Sequence, residues 1–140
     1  MTFTERYTWA GLAISIVTFL AYWTVVVVRA VTDGLPLVDV GWQGPMLWSL
    51  TLGGGLYAVV MLVLWLRVRG ESHTDARDHE IERYAETTGA GIVGIVVLAT
   101  LVMLALDAPA FWTATVLFVG AFLGSLASTG VTLAAYRDGL

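Results

Sequence analysis

Residues 71–88 read E-S-H-T-D-A-R-D-H-E-I-E-R-Y-A-E-T-T, the one long charged run in a chain of 140 residues. The run holds six of the eleven acids, two of the seven arginines and both histidines. The sequence on either side is apolar enough to sit in lipid. The chain therefore divides into two hydrophobic hairpins joined by one polar link.

Composition agrees with that division. The chain is 58% hydrophobic and 13% charged, with a mean hydropathy of +0.81. A soluble domain carries about 25% charged residues. The deficit points to an integral membrane protein of one domain, whose apolar surface is covered by lipid. Cysteine is absent, which removes disulfides, thiolate metal sites and cysteine nucleophiles. Lysine is absent too, which removes any Schiff base. The net charge of −4 disfavours direct nucleic-acid binding.

Working outward, four spans emerge at about residues 9–28, 46–66, 89–106 and 110–135. Each is long enough as a helix to cross roughly 30 Å of hydrocarbon. Tyr7, Trp9, Tyr22, Trp23, Trp48, Trp65, Phe111, Trp112 and Tyr136 stand near the span ends, as an aromatic belt requires. Residues 29–45 form a long first connector punctuated by Gly34, Pro36, Gly41, Gly44 and Pro45. Its Leu35, Leu37, Val38 and Trp42 suit either the membrane interface or a fold over the helix ends. Asp107, Ala108 and Pro109 make a very short second turn. The fold expected is all-α: an integral membrane four-helix bundle of two helical hairpins.

Three sets of small residues are candidates for helix packing. Gly53, Gly54 and Gly55 lie inside the second span, where each costs about 1 kcal/mol of helix propensity in water. Gly120 and Gly124 form a GxxxG that Ser128 extends, and such strips let backbones approach. Gly11, Ser15 and Thr18 make a shorter strip on the first span. Whether the fourth-span strip serves this chain or a second copy is open at this level.

Arginine sets the orientation. Arg6, Arg67, Arg69, Arg77, Arg83 and Arg137 fall on one side and only Arg29 on the other. Positive charge stays inside, so both termini and the helical link 67–88 are expected in the cytoplasm, in a multi-pass prokaryotic cell membrane.

The four spans contain no Asp, Glu, Arg, Lys or His. Proton-coupled exporters and intramembrane haem sites place an ionisable group or a histidine at depth, so both are excluded. His73, Asp75, Asp78, His79 and Glu82 have nitrogen and oxygen donors at short spacings. No zinc signature accompanies them, and a solvated charged helix is the plainer reading. No metal or other cofactor is expected, and no catalytic residues. Within the link, Thr74 or Asp75 suits an N-cap for a helix starting at Ala76 and running into the third span. Arg77 with Glu80, and Glu80 with Arg83, are i, i+3 pairs. Ile81 and Tyr84 are expected to pack on a neighbour.

The motif Asp75, Arg77, Asp78, Glu80, Ile81 and Arg83 carries a resemblance. It is similar to an uncharacterised family of small prokaryotic four-helix membrane proteins with D-E-R-x-x-x-I at the entry to the third span. Asp75, Arg77 and Ile81 match, and Ala76 departs from the usual glutamate. The resemblance implies no catalytic activity. Members of that family often accompany helix-turn-helix regulators, which implies a regulatory or accessory role.

The leading expectation is a non-enzymatic accessory or regulatory protein. It contacts membrane lipid, forms a homo-oligomer, with a dimer favoured, and offers its cytoplasmic helix to a regulatory protein. The alternative is a carrier or binder of neutral lipophilic molecules between the helices. Its pocket would be lined by Trp, Phe, Met and Gly53 to Gly55, with Ser15, Thr18, Thr51 or Thr100 as polar groups.

Overall fold

The computed structural model describes residues 3–68 and 76–138, with side chains for residues 8–64, 66 and 80–135. Four helices account for nearly all of it: α1 (Phe3–Asp33), α2 (Gln43–Val68), α3 (Ala76–Ala105) and α4 (Ala110–Asp138). No strand occurs among the described residues. Each helix is long and apolar enough to cross a membrane. Their outward faces carry large apolar side chains, such as Val17, Leu47, Leu98 and Ile95, the last 70% exposed. Water would not tolerate so much exposed apolar surface, whereas lipid covers it.

α1 reaches five residues beyond the expected span at its far end, and α3 joins 76–88 to the third span as one helix. The N-cap assigned to Thr74 or Asp75, and the motif residue Asp75, lie outside the described residues. Arg77 and Asp78 lie in the first turn of α3.

Both hairpin turns are set by one residue with positive φ. α1 ends at Gly34, whose φ of 63° lets the Leu35 N–H donate to the Ala30 carbonyl at 3.1 Å. α3 ends at Asp107 with φ 52°. There the Ala108 N–H donates to Met103 at 2.9 Å and the Asp107 N–H to Leu104 at 3.2 Å. These are the paired bonds of a Schellman cap. Asp is one of the few non-glycine residues that adopts this conformation readily. Pro109 then blocks continuation, and α4 starts at once.

The helices contact one another in the order α2, α1, α4, α3. α1 meets α2 and α4, α4 also meets α3, and α2 and α3 do not meet among the described residues. Small residues make the close approaches. A Cβ on Gly89 would stand 2.9 Å from the Gly124 carbonyl oxygen and 3.0 Å from Ser128 Cβ. A Cβ on Gly124 would stand 2.8 Å from a Val93 methyl, and one on Gly120 would overlap both Val96 methyls. The strip of Gly120, Gly124 and Ser128 therefore lies against α3 of the same chain. On the other hairpin, a Cβ at Gly53 would stand 2.9 Å from Thr18 Cγ2. Ser49 Oγ donates to the Thr18 carbonyl at 2.9 Å across that contact.

Two local expectations need correction. A Cβ at Gly54 or Gly55 would meet no atom within 4 Å, so within the chain the close packing of this triplet falls to Gly53. Tyr84 packs on nothing large and is 69% exposed. α3 meets α4 through Ala85, Gly89, Val93, Val96 and Thr100, and Tyr84 sits about 100° away from Ala85 around the helix. Ile81 is half-buried.

Apolar packing is densest at the end that carries the first connector. Tyr22, Val26, Met46 and Phe111 form the buried cluster, with Trp23, Leu37, Trp42, Ala114 and Phe118 against it. Residues 34–42 cross this end: a turn bonded from Asp39 N–H to the Pro36 carbonyl at 2.9 Å buries Val40 beyond it. Arg29 Nη1 donates to the Gly41 carbonyl at 3.0 Å and ties the connector to α1. Leu37 and Trp42 fold over the helix ends, while Leu35 and Val38 stay exposed.

Overpacking the α3–α4 contact should cost about 1–3 kcal/mol. We expect Gly120→Leu to lower the unfolding midpoint in mild detergent, and Gly91→Leu, whose position is open, to leave it nearly unchanged. Equal midpoints for the two variants would contradict this packing.

Candidate binding cleft

The end opposite the buried cluster is built differently. Between the two hairpins lies a cleft of about 470 Å³, lined by all four helices. α1 contributes Thr8, Gly11, Ile14, Ser15 and Thr18, and α2 contributes Ser49, Leu50, Gly53, Gly54 and Tyr57. α4 contributes Phe118, Ser125, Ser128, Thr129 and Thr132, and α3 contributes Ile81, Glu82, Ala85 and Glu86. α1 and α4 form its floor because they touch. α2 and α3 form its walls because they do not.

The spacing of the α4 residues explains the shape. Ser125, Ser128, Thr129 and Thr132 fall at i, i+3, i+4 and i+7, one face of a helix. From Phe118 to Thr132 the lining covers about 21 Å along the α4 axis at 1.5 Å per residue. At the deep end the lining reaches Phe118, one member of a ring stack. Phe19 stacks on Phe122 with centroids 4.0 Å apart and on Phe118 at 5.6 Å, and Tyr22 meets Phe118 edge-on at 4.8 Å. Aromatic pairs of this kind contribute about 0.5–1.5 kcal/mol each beyond their burial. The open end is where α1 begins, α4 ends and α3 enters.

Just past the ring floor the Tyr22 hydroxyl has the Thr115 hydroxyl beside it. The pair falls outside ordinary hydrogen-bond geometry, and both oxygens are buried.

Several hydroxyls on the cleft wall have already spent their proton. Thr18 Oγ1 donates to the Ile14 carbonyl at 2.7 Å, and Thr132 Oγ1 to the Ser128 carbonyl at 3.0 Å. Ser49 donates to Thr18, as above. Each of these three oxygens is left with lone pairs only, whereas Ser15, Ser125, Ser128 and Thr129 add hydroxyls to the same lining. Glu82 and Glu86 are exposed to the same space. No Arg or His is among the described lining residues.

The structure sorts the residues expected to matter. Ser15, Thr18, Gly53 and Gly54 line the cleft. Thr51 is exposed, with its hydroxyl bonded to the Leu47 carbonyl. Thr100 bonds to the Val96 carbonyl at 2.8 Å and is buried. Gly55 is exposed on α2 outside the lining. Of the charged motif, Ile81 lines the cleft, Glu80 and Arg83 are exposed outside it, and the side chains of Arg77 and Asp78 lie outside the described set. Of the candidate metal donors, Glu82 alone has a described side chain; His73 and Asp75, and the side chains of Asp78 and His79, lie outside the described set. Sequence reasoning missed Ser49, Tyr57, Ser125, Thr129, Thr132 and Glu86. The S-x-x-S-T-x-x-T spacing on α4 was the signal that could have found four cleft positions at once. Comparison with protein-family models, with curated proteins and with solved structures returned no match.

Proposed function

We propose that this protein is a multi-pass membrane protein that binds, and by that route carries, a small amphipathic molecule in the cleft between its hairpins. One observation carries the reading: hydroxyl groups from three helices and the polar face of a fourth converge on a single 470 Å³ space whose deep end is lined by Phe118. Ligand sites are concave and mostly apolar, with a few placed polar groups, and their volumes run about 300–1,000 Å³. Ile14, Leu50, Ile81 and Phe118 supply apolar wall here.

The test is saturable binding of a neutral lipophilic dye such as Nile red to the purified protein in non-ionic detergent. Ser15→Phe, which fills the cleft, should weaken binding at least about tenfold with the unfolding midpoint held. Undiminished binding in that variant would place the dye elsewhere and sink the reading.

The arginine distribution supports a cleft that opens to the cytoplasm of a prokaryotic cell, with both termini on that side. Because the chain has no cysteine, single-cysteine variants report sidedness directly. A membrane-impermeant maleimide should label Asp39→Cys in intact spheroplasts, and Glu86→Cys only in inverted vesicles. The reverse pattern would invert the topology.

A second reading, an accessory protein that assembles and presents α3 to a cytoplasmic regulatory protein, draws on the outer faces. Gly55 on α2 and Tyr84 on α3 stand open within the chain and outside the cleft. A homodimer would then use α2 rather than the α4 strip, which α3 already occupies. Disulfide crosslinking of Gly55→Cys in native membranes should trap a dimer, and a Gly120→Cys control should not. Monomer alone at both positions would remove assembly through α2.

A further inference from the structure

Four hydroxyls in the cleft differ from the others on the helices. Thr51, Thr87, Thr88 and Thr100 each return a proton to a carbonyl of the preceding turn, the ordinary habit of such side chains in a helix. Ser15 on α1 and Ser125, Ser128 and Thr129 on α4 make no side-chain hydrogen bond among the described residues, and all four line the cleft. Each can donate as well as accept. Ser125 lies near the middle of the Ala110–Ala135 span, with Ser128 and Thr129 one turn nearer its end. An unpaired hydroxyl at that depth is costly, so these groups take their partners from whatever fills the cleft. Thr18 and Ser49, at the deep end, add acceptors. The described lining holds no cationic side chain.

The cleft is also open along its side. Its walls, α2 and α3, make no contact with each other among the described residues. Both are long and apolar enough to span a membrane, and Leu47 and Leu52 on α2 and Ile95 and Leu98 on α3 are exposed, so the gap between them gives onto lipid. The lining covers about 21 Å along α4, and one leaflet with its headgroup region is roughly 20–22 Å deep, half of a bilayer. We infer that the cleft takes up the uncharged polyol headgroup of a membrane lipid, a glycosyl-diacylglycerol in chemical class, admitted sideways between α2 and α3 while its acyl chains stay in the bilayer. A polyol carries several donors and several acceptors on one small body, which complements Ser15, Ser125, Ser128 and Thr129 together with the lone pairs of Thr18 and Ser49. A phosphate headgroup brings negative charge and meets no cation in the described lining. A choline headgroup brings charge and no hydrogen-bond donor. The open side lets the headgroup descend to the depth of Ser125 without drawing the acyl chains out of hydrocarbon. The inference rests on the cleft being a binding site, and it narrows the neutral lipophilic ligand expected from sequence to one whose polar part carries several hydroxyls.

The experiment is native mass spectrometry of the full chain in lauryldimethylamine oxide, a detergent without hydroxyls. The protein is offered an equimolar mixture of monogalactosyl-diacylglycerol, phosphatidylcholine and phosphatidylglycerol with the same acyl chains. The galactolipid should be retained about tenfold more than either phospholipid, since two or three added hydroxyl contacts each contribute a few-fold. In the Ser125→Ala, Thr129→Val double variant that preference should shrink to within about twofold, with the unfolding midpoint held. Equal retention of galactolipid and phosphatidylcholine by the wild-type chain overturns the polyol selectivity while leaving the cleft as a binding site. Retention of phosphatidylglycerol equal to that of the galactolipid overturns the requirement for an uncharged headgroup. A preference that survives the double variant overturns the role of the cleft hydroxyls. Displacement of the galactolipid by millimolar methyl galactoside assigns the site to a soluble sugar and overturns the lipid. Absence of saturable, Ser15→Phe-sensitive Nile red binding overturns the cleft reading itself, and this inference with it.

Discussion

The fold depends on a handful of places where two helix backbones come within touching distance. Lipid covers an apolar side chain as well as another helix does, so burying leucine yields little net attraction between membrane helices. What holds them is close dispersion contact and the hydrogen bonds it permits. Gly89 against Gly124 is the clearest case: a methyl at either position would meet the carbonyl region of the other. That contact fixes α3 to α4 near the cleft mouth, and Val93 and Val96 extend it. Gly53 against Thr18 fixes α2 to α1, with the Ser49 hydroxyl bonding across. α1 and α4 meet instead through large rings, Phe19, Phe118, Phe122 and Tyr22. Two hairpins made tight by small residues, and joined by bulky ones at one end, must diverge at the other.

Much of this was open to reading in the chain itself. Four uncharged stretches of span length leave the backbone no option but helices, whatever the β-branched content of Val25 to Val28. The turns were legible because Gly34 and Pro109 carry their conformations in their covalent structure. From Ala76 onward the charged run was legible as helix, because charges paired at i, i+3 have local meaning. Pairings were not legible. Gly53, Gly54 and Gly55 look alike in sequence, yet one alone meets another helix. Which of three successive residues faces a partner depends on the rotation of the whole helix, and an all-apolar helix carries no amphipathic stripe to announce it. Tyr84 illustrates the same failure, since one step along a helix turns a side chain by about 100°. The cleft was legible only in fragments. Ser15 and Thr18 stood out as polar atoms in an apolar span, but their convergence with Ser49, Ser125 and Thr129 is a property of the tertiary arrangement.

The two ends of the bundle are asymmetric for a reason visible in the connectors. The connector between α1 and α2 is long enough to fold back, and it places Val40, Leu37 and Trp42 over the helix ends. The connector between α3 and α4 is so short that it adds no cover, but it draws Phe111 into the same cluster. Apolar packing therefore accumulates at the end with both tight turns. The opposite end carries the termini and the polar first turns of α3, none of which supplies apolar cover among the described residues. A cleft at that end is what remains when two hairpins are sealed at their closed tips.

Serine and threonine in a membrane helix are weak evidence of a ligand site, because each can return its proton to the preceding turn. Thr51, Thr87, Thr88 and Thr100 do so at positions outside the cleft, where nothing further is implied. Thr18 and Thr132 make the same bond. The difference lies in where the remaining lone pairs point. At Thr100 the oxygen is buried in a helix contact, and at Thr51 it faces outward from the bundle. In the cleft the lone pairs of three helices and the carboxylates of a fourth share one space. Thr18, Ser49 and Thr132 bring acceptors to that space, whereas Ser15, Ser125, Ser128 and Thr129 bring hydroxyls that can donate as well as accept, so the cleft meets an occupant with both kinds of partner.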